Sequence, residues 1–222
     1  MPAPPLSVAV LVSGEGTTLD GLAELASGGA MPVRIVLVAC DRPNAPAIER
    51  ARRRGLRTIV LPFRGSEPSE WSRTLSHELE SAGTDLVVLA GFLSVLPPTF
   101  TERWTGRTIN VHPSLLPRFG GPGLYGAKVH RAVLDAGATE TGATVHVVTQ
   151  DVDRGPILGQ VSLPVRPSDT PESLRERLHP HEVRLLAEVL GRFADGTFPL
   201  PYPVPVRAPA PLGAGPAASD PA

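Results

Sequence analysis

Two side chains with complementary chemistry sit two residues apart in Thr108-Ile-Asn-Val-His-Pro-Ser-Leu-Leu-Pro: Asn110 and His112. On a strand, residues i and i+2 project to the same side, so the amide and the imidazole can share one target. An amide donor steadies an oxyanion while an imidazole moves a proton, which is the equipment of acyl transfer. A strand-end Asn and His that merely hydrogen-bond the turn at Pro113 and Pro117 would show the same spacing. His146, between Val145 and Val147, is placed to face the same site or to be a satisfied structural residue. Asp151 and Asp153 share the loop Thr149-Gln-Asp-Val-Asp-Arg-Gly-Pro, a context in which aspartates are commonly solvated turn formers.

A second kind of chemistry is written in Ser13-Gly-Glu-Gly-Thr-Thr. Glycines let the backbone approach a ligand, and the amides of Gly16, Thr17 and Thr18 at a helix start suit a phosphate. Thr17 or Thr18 is the expected cap, with Leu19, Leu22, Ala23 and Ala26 as the buried stripe. A tight turn without ligand uses glycine in the same way. The segment matches neither GxGxxG nor GxxxxGK[ST], so a dinucleotide or nucleoside triphosphate lacks its fingerprint. Ala90-Gly-Phe-Leu-Ser-Val-Leu-Pro-Pro offers apolar side chains and exposed backbone to a flat aromatic ligand, or else core packing. His77, His179 and His181 fit no metal spacing, and no zinc site is expected. His130 and Arg131 read as structural residues of a helical stretch, and Cys40 as a small buried residue.

These residues need a frame that brings them together. Ser7–Val12, Arg34–Ala39, Thr58–Leu61, Asp85–Ala90 and Thr108–Val111 read as strands, with helical spacing over Leu19–Ala26, Ala45–Arg54 and Ser69–Ala82. Val8-Ala-Val-Leu-Val and Leu86-Val-Val-Leu-Ala are apolar throughout and need cover on both faces, the habit of a parallel sheet. The pattern predicts a doubly wound α/β fold in one domain. Gly142–Val148 and Ile157–Val165 read as two later strands joined by a loop. A closing helix over Thr170–Phe193 carries leucines at 174, 178, 185, 186 and 190. In such sheets ligands bind beyond the carboxyl ends of the strands, where every segment above falls. The Leu116–Pro117 bond is expected to be cis because the chain must reverse sharply there.

Composition removes several function classes. The 222 residues carry 21 basic and 22 acidic side chains, a formal charge of −1, so no basic excess exists for a nucleic-acid backbone. One cysteine excludes an intrachain disulfide or a multi-cysteine metal site and fits a reducing cytoplasm. Nothing resembles a signal peptide or a bilayer span, so a soluble, cytoplasmic protein without a membrane partner is expected, as a monomer or homodimer. Of 26 prolines, eight lie between Phe198 and Ala222. Residues 1–206 are therefore read as the domain and 207–222 as a disordered Pro/Ala/Gly-rich tail.

With these residues in view, the chain resembles the glycinamide ribonucleotide formyltransferases of purine biosynthesis, over about Ser7 to Phe193. The resemblance rests on Val87-Val-Leu-Ala-Gly-Phe, Ile109-Asn-Val-His-Pro-Ser-Leu-Leu-Pro, Gly142-Ala-Thr-Val-His-Val-Val and Asp151-Val-Asp-Arg-Gly-Pro-Ile-Leu-Gly-Gln. It implies a mostly parallel, doubly wound sheet with a Rossmann-like N-terminal half and antiparallel late strands. It further implies formyl transfer from 10-formyltetrahydrofolate to the amine of 5-phosphoribosylglycinamide, with no metal. The family's catalytic Asn, His and Asp fall on Asn110, His112 and Asp153. By the same resemblance the substrate phosphate falls to Gly14, Gly16, Thr17 and Thr18, and the ribose hydroxyls to Glu182. The pterin lies beside Phe92, Leu93, Ser94, Val95 and Leu96, and against Gln150, Asp151 and Val152, with His146 in support. The implied mechanism holds the tetrahedral oxygen with Asn110 and protonated His112, while Asp153 favours the charged ring and relays the amine proton.

Three places depart from the familiar pattern. Glu15 stands where well-known members have Asn in Gly-Asn-Gly-Ser-Asn, Ser94 where many have a long side chain such as arginine, and Phe119-Gly-Gly-Pro-Gly-Leu-Tyr-Gly exceeds the common Pro-Gly version. The competing readings are a related formyltransferase acting on methionyl-tRNA or a nucleotide sugar, a formyltetrahydrofolate hydrolase, or a noncatalytic α/β small-molecule-binding protein. Near-neutral charge argues against tRNA, and a noncatalytic relative would be marked by loss of Asn110, His112 or Asp153.

Overall fold

A computed structural model describes residues 4–29 and 31–204, so the expected tail over 207–222 lies outside the described residues. Seven strands form one sheet: β1 (Leu6–Val12), β2 (Val33–Cys40), β3 (Thr58–Val60), β4 (Leu86–Leu89), β5 (Thr108–His112), β6 (Glu140–Val147) and β7 (Ile157–Pro164). Their spatial order is β3-β2-β1-β4-β5-β6-β7. The first five pair in parallel, and β5–β6 and β6–β7 are antiparallel. This is the expected doubly wound α/β fold with antiparallel late strands.

Alternation along the central strands divides the core into two layers. Val8, Val10 and Val12 of β1 face one layer and Ala9 and Leu11 the other; Leu86 and Val88 of β4 oppose Val87 and Leu89 in the same way. The first layer is covered by α1 (Thr17–Ser27), α2 (Pro46–Arg53), α5 (Ala127–Asp135) and α6 (Pro171–Ala194), and the second by α3 (Pro68–Ser81) and α4 (Pro98–Arg103). Leu174, Leu178, Leu185, Leu186 and Leu190 of α6 are all buried, as their spacing predicts. Thr170 caps that helix in a reciprocal box with Ser173.

Two local expectations are corrected. The N-cap of α1 is Gly16, in the left-handed region at φ 74°, rather than Thr17 or Thr18, and no side chain caps the helix. Gly16 is required there because a Cβ would lie 2.7 Å from the Cβ of Ala47. Helix α4 has no counterpart in the sequence reading: Pro98 at its first turn pre-sets the helical φ, and six residues are too few for a periodic signal. The Leu116–Pro117 bond is cis, as expected. After α6 the chain returns along the domain, with Phe198, Leu200, Tyr202 and Val204 packed against the core and the Tyr202 N–H donating to Gly106 O.

Candidate active site

Strand order reverses between β1, which leads to β2, and β4, which leads to β5, and this divergence opens a crevice at the carboxyl ends. The loops leaving β1 and β4 are tied together there: Ser13 N–H donates to Gly91 O, and Leu93 N–H donates to Ser13 Oγ. One strand over, the antiparallel register of β5 and β6 sets Asn110 opposite His146 and His112 opposite Thr144. The spacing of Asn110 and His112 thus delivers both side chains to one place, and cross-strand pairing adds His146.

Asp153 completes the cluster. Its Oδ2 lies 3.5 Å from His112 Nδ1 and its Oδ1 3.5 Å from His146 Nε2. The residue has φ 56°, a left-handed conformation unusual for a side-chain-bearing residue, and this aims the carboxylate inward from a loop. Gly121 N–H donates to Oδ2 at 2.8 Å. Both histidines are almost fully buried.

Partners decide the tautomers. The His112 Nε2 sits 2.9 Å from Phe119 O, and a carbonyl only accepts, so Nε2 carries hydrogen and Nδ1 is the basic nitrogen facing Asp153. His146 Nδ1 meets Val147 O at 3.0 Å, so its Nε2 is free to accept from Asn110 Nδ2 at 3.1 Å. The amide of Asn110 has two N–H groups; one is held by His146 and the other remains for a ligand. Burial pulls the His112 imidazole below its ordinary pKa, against an opposing pull from Asp153. Burial alone would raise the Asp153 carboxyl, but the two neighbouring imidazoles and the N–H donated by Gly121 hold it below the usual carboxylate range. The resting pair is therefore a neutral ring beside an ionised carboxylate.

The His112 ring is held between Phe119 O at Nε2 and the Asp153 carboxylate at Nδ1. The groups presented to the adjoining cleft are Asn110, His146 and Asp153.

That cleft, about 100 Å³, has apolar walls that include Phe92, Val95, Leu96 and Val152 from the expected set. Other members of the set lie elsewhere. Leu93 faces the neighbouring cavity, Ser94 donates to Asp41 Oδ2, and Gln150 and Asp151 line an adjoining hollow of about 650 Å³. The larger hollow contains none of Asn110, His112 or Asp153, so its size does not make it the seat of the chemistry.

On the opposite side of the β4–β5 ends is a cavity of about 320 Å³, lined by residues 14–18 together with Glu182. The first turn of α1 presents backbone N–H groups that no side chain caps. Glu15 is exposed at the edge of this cavity. Three residues that the sequence reading gave no part in a site also line it: His130 from α5, and Arg175 and His179 from α6. Positions 175, 179 and 182 share one helical face, so the α6 pair was legible once Glu182 was placed; His130 gave no such signal.

Comparison with known proteins places this geometry. A family model described as formyl transferase matches residues 6–190. The chain is 38% identical over 190 residues to the chloroplastic phosphoribosylglycinamide formyltransferase of Arabidopsis thaliana, covering 85% of this chain and 65% of that protein. It thus spans just under two thirds of that relative. It is 34% identical over 192 residues to the phosphoribosylglycinamide formyltransferase of Escherichia coli, covering 86% of this chain and 88% of that one. The crystal structure of glycinamide ribonucleotide transformylase 1 from Symbiobacterium toebii superposes with a TM-score of 0.83 at 34% identity, covering 89% of this chain and 92% of the other.

Proposed function

The chain belongs to the formyl transferase family, and from that premise we propose that it moves the formyl group of 10-formyltetrahydrofolate to the amine of 5-phosphoribosylglycinamide. The products are formylglycinamide ribonucleotide and tetrahydrofolate, in de novo purine biosynthesis. One observation carries this reading: consecutive residues at the ends of β4 and β5 open onto two different cavities that flank the Asn–His–Asp cluster. Leu89 and Asn110 face the apolar cleft, while Ala90 and Val111 face the cavity with the α1 N-terminus. A flat, largely apolar donor suits the first, and a phosphorylated, hydroxylated acceptor suits the second. A reducing, cytoplasmic setting is supported by the lone, buried Cys40.

The chemistry follows from the hydrogen-bond inventory. As the acceptor amine adds to the formyl carbon, the free N–H of Asn110 donates to the developing oxyanion, its orientation fixed by His146. The amine must lose a proton, and Asp153 is the carboxylate in reach of the cleft. The proton passes by way of Asp153 to Nδ1 of His112, the basic nitrogen 3.5 Å away. The resulting imidazolium, still donating from Nε2 to Phe119 O, places a positive charge beside the oxyanion in a dry setting, where charge acts strongly. Collapse of the intermediate returns a proton to the departing folate nitrogen.

The direct test is the ultraviolet signal of tetrahydrofolate release from 10-formyltetrahydrofolate. Release only with 5-phosphoribosylglycinamide supports the reading; release without acceptor identifies a hydrolase, and no release with either refutes formyl transfer.

A further inference from the structure

Helix α5 carries a buried histidine that neither the chemistry nor the packing employs. His130 is 2% exposed and lines the cavity shared with Glu182 and the α1 N-terminus. Its Nδ1 is buried and has no hydrogen-bond partner among the described residues. A buried polar group left unpaired is costly, so such a group at a cavity wall points to a partner that arrives from outside.

The surroundings define that partner. Glu182 is the carboxylate nearest in effect to the ring, with Arg175 and His112 opposing its pull, and burial keeps the imidazole neutral. A neutral imidazole has one donor and one acceptor, which matches a hydroxyl; a phosphate dianion calls for the cation Arg175 and the free α1 amides. Along α6, Arg175 and Glu182 are seven residues apart, roughly 10 Å of helix at 1.5 Å per residue. One cavity thus holds groups suited to a phosphate and groups suited to hydroxyls.

We propose that His130 is a specificity-determining residue for the acceptor, binding with Glu182 the vicinal hydroxyls of a ribose whose phosphate lies at the α1 N-terminus. The inference rests on the reading of this cavity as the ribonucleotide site.

The test is a cycle between protein and ligand, read by calorimetry on the full chain. Binding of 5-phosphoribosylglycinamide and of its 2′,3′-dideoxy analogue is measured for wild type, His130→Phe and His130→Gln. Removing the hydroxyls should weaken wild-type binding about tenfold more than it weakens binding to His130→Phe, the coupling expected of groups in direct contact. His130→Gln, which keeps a donor and an acceptor, should restore part of that discrimination, and it carries the test if His130→Phe does not fold. Equal weakening of both ligands by substitution would assign His130 to the scaffold and overturn the inference. Wild-type protein that binds the ribonucleotide without discriminating against the dideoxy form overturns it too, leaving formyl transfer intact. Wild-type protein that binds neither ligand instead refutes the reading beneath it.

Discussion

The backbone N–H of Gly121 donates to Asp153 Oδ2 at 2.8 Å, binding the glycine-rich loop between β5 and α5 to the carboxylate that faces His112 and His146. Two residues earlier, Phe119 O accepts from His112 Nε2. One loop thus fixes the tautomer of the imidazole and the position of the carboxylate opposite it. The long form of this loop, an oddity in the sequence, reaches the His112–Asp153 pair for which proton transfer is proposed.

Asp153→Asn keeps shape and an acceptor for Gly121 but loses charge. We expect kcat to fall by about 10²-fold or more, with folding and ribonucleotide binding little changed. The carboxylate also raises the proton affinity of His112, so the acid limb of any residual activity should move to lower pH. Steady-state kinetics across pH checks both; near-normal turnover with both substrates saturating would reduce Asp153 to a loop former.

His112→Asn removes the basic nitrogen. If Asp153 and His112 handle one proton in sequence, the double substitution should cost much less than the product of the single losses. Fully multiplicative rate losses would show that they act in separate steps.

Stability should depend on pH with a definite sign. Burial lowers the proton affinity of His112 and His130 in the folded state, so just below the ordinary value of 6.5 the unfolded chain binds more protons. Stability from these two groups is full above that value and declines as pH falls through the window down to their depressed folded values. Asp153 acts lower, its contribution present above the ordinary 3.8 and lost as pH falls through its depressed folded value. Calorimetric melting temperatures should therefore drop between pH 7 and pH 5, less so in His112→Asn; a flat or rising profile contradicts this.

Glu15 is exposed at the cavity that holds the α1 N-terminus, where a negative side chain opposes a phosphate. Glu15→Asn should leave KM for the ribonucleotide unchanged or lower it. A marked rise would mean that the carboxylate makes a useful contact with substrate.

Gly106 has φ 67°, and a Cβ there would come within 2.2 Å of Tyr202 O. Gly137, at φ 60°, has open space instead. Both alanine variants carry the backbone penalty of about 1–3 kcal/mol, but Gly106→Ala must also displace the returning C-terminal segment. Chemical denaturation should show Gly106→Ala to be the less stable; equal losses would mean that this segment is loosely held.

Much of the molecule is dictated by local pattern. Runs apolar on both faces, as in β1 and β4, demand a sheet covered twice, and the turn residues between them mark the crossovers. The two-residue spacing of Asn110 and His112 and the glycines before α1 are equally local facts, so both were visible without coordinates. Which aspartate faces the ring was not a matter of pattern: residue pattern left Asp151 and Asp153 equivalent, the family resemblance pointed to Asp153, and its left-handed backbone and bond to Gly121 set it against the ring. The engagement of both His112 nitrogens and the approach of α5 to α6, which joins His130 to Arg175 and Glu182, likewise belong to the tertiary structure. The reason is physical. Periodicity reports which way a side chain leaves its own element, whereas the partner it meets depends on strand register and helix packing between segments far apart in the chain.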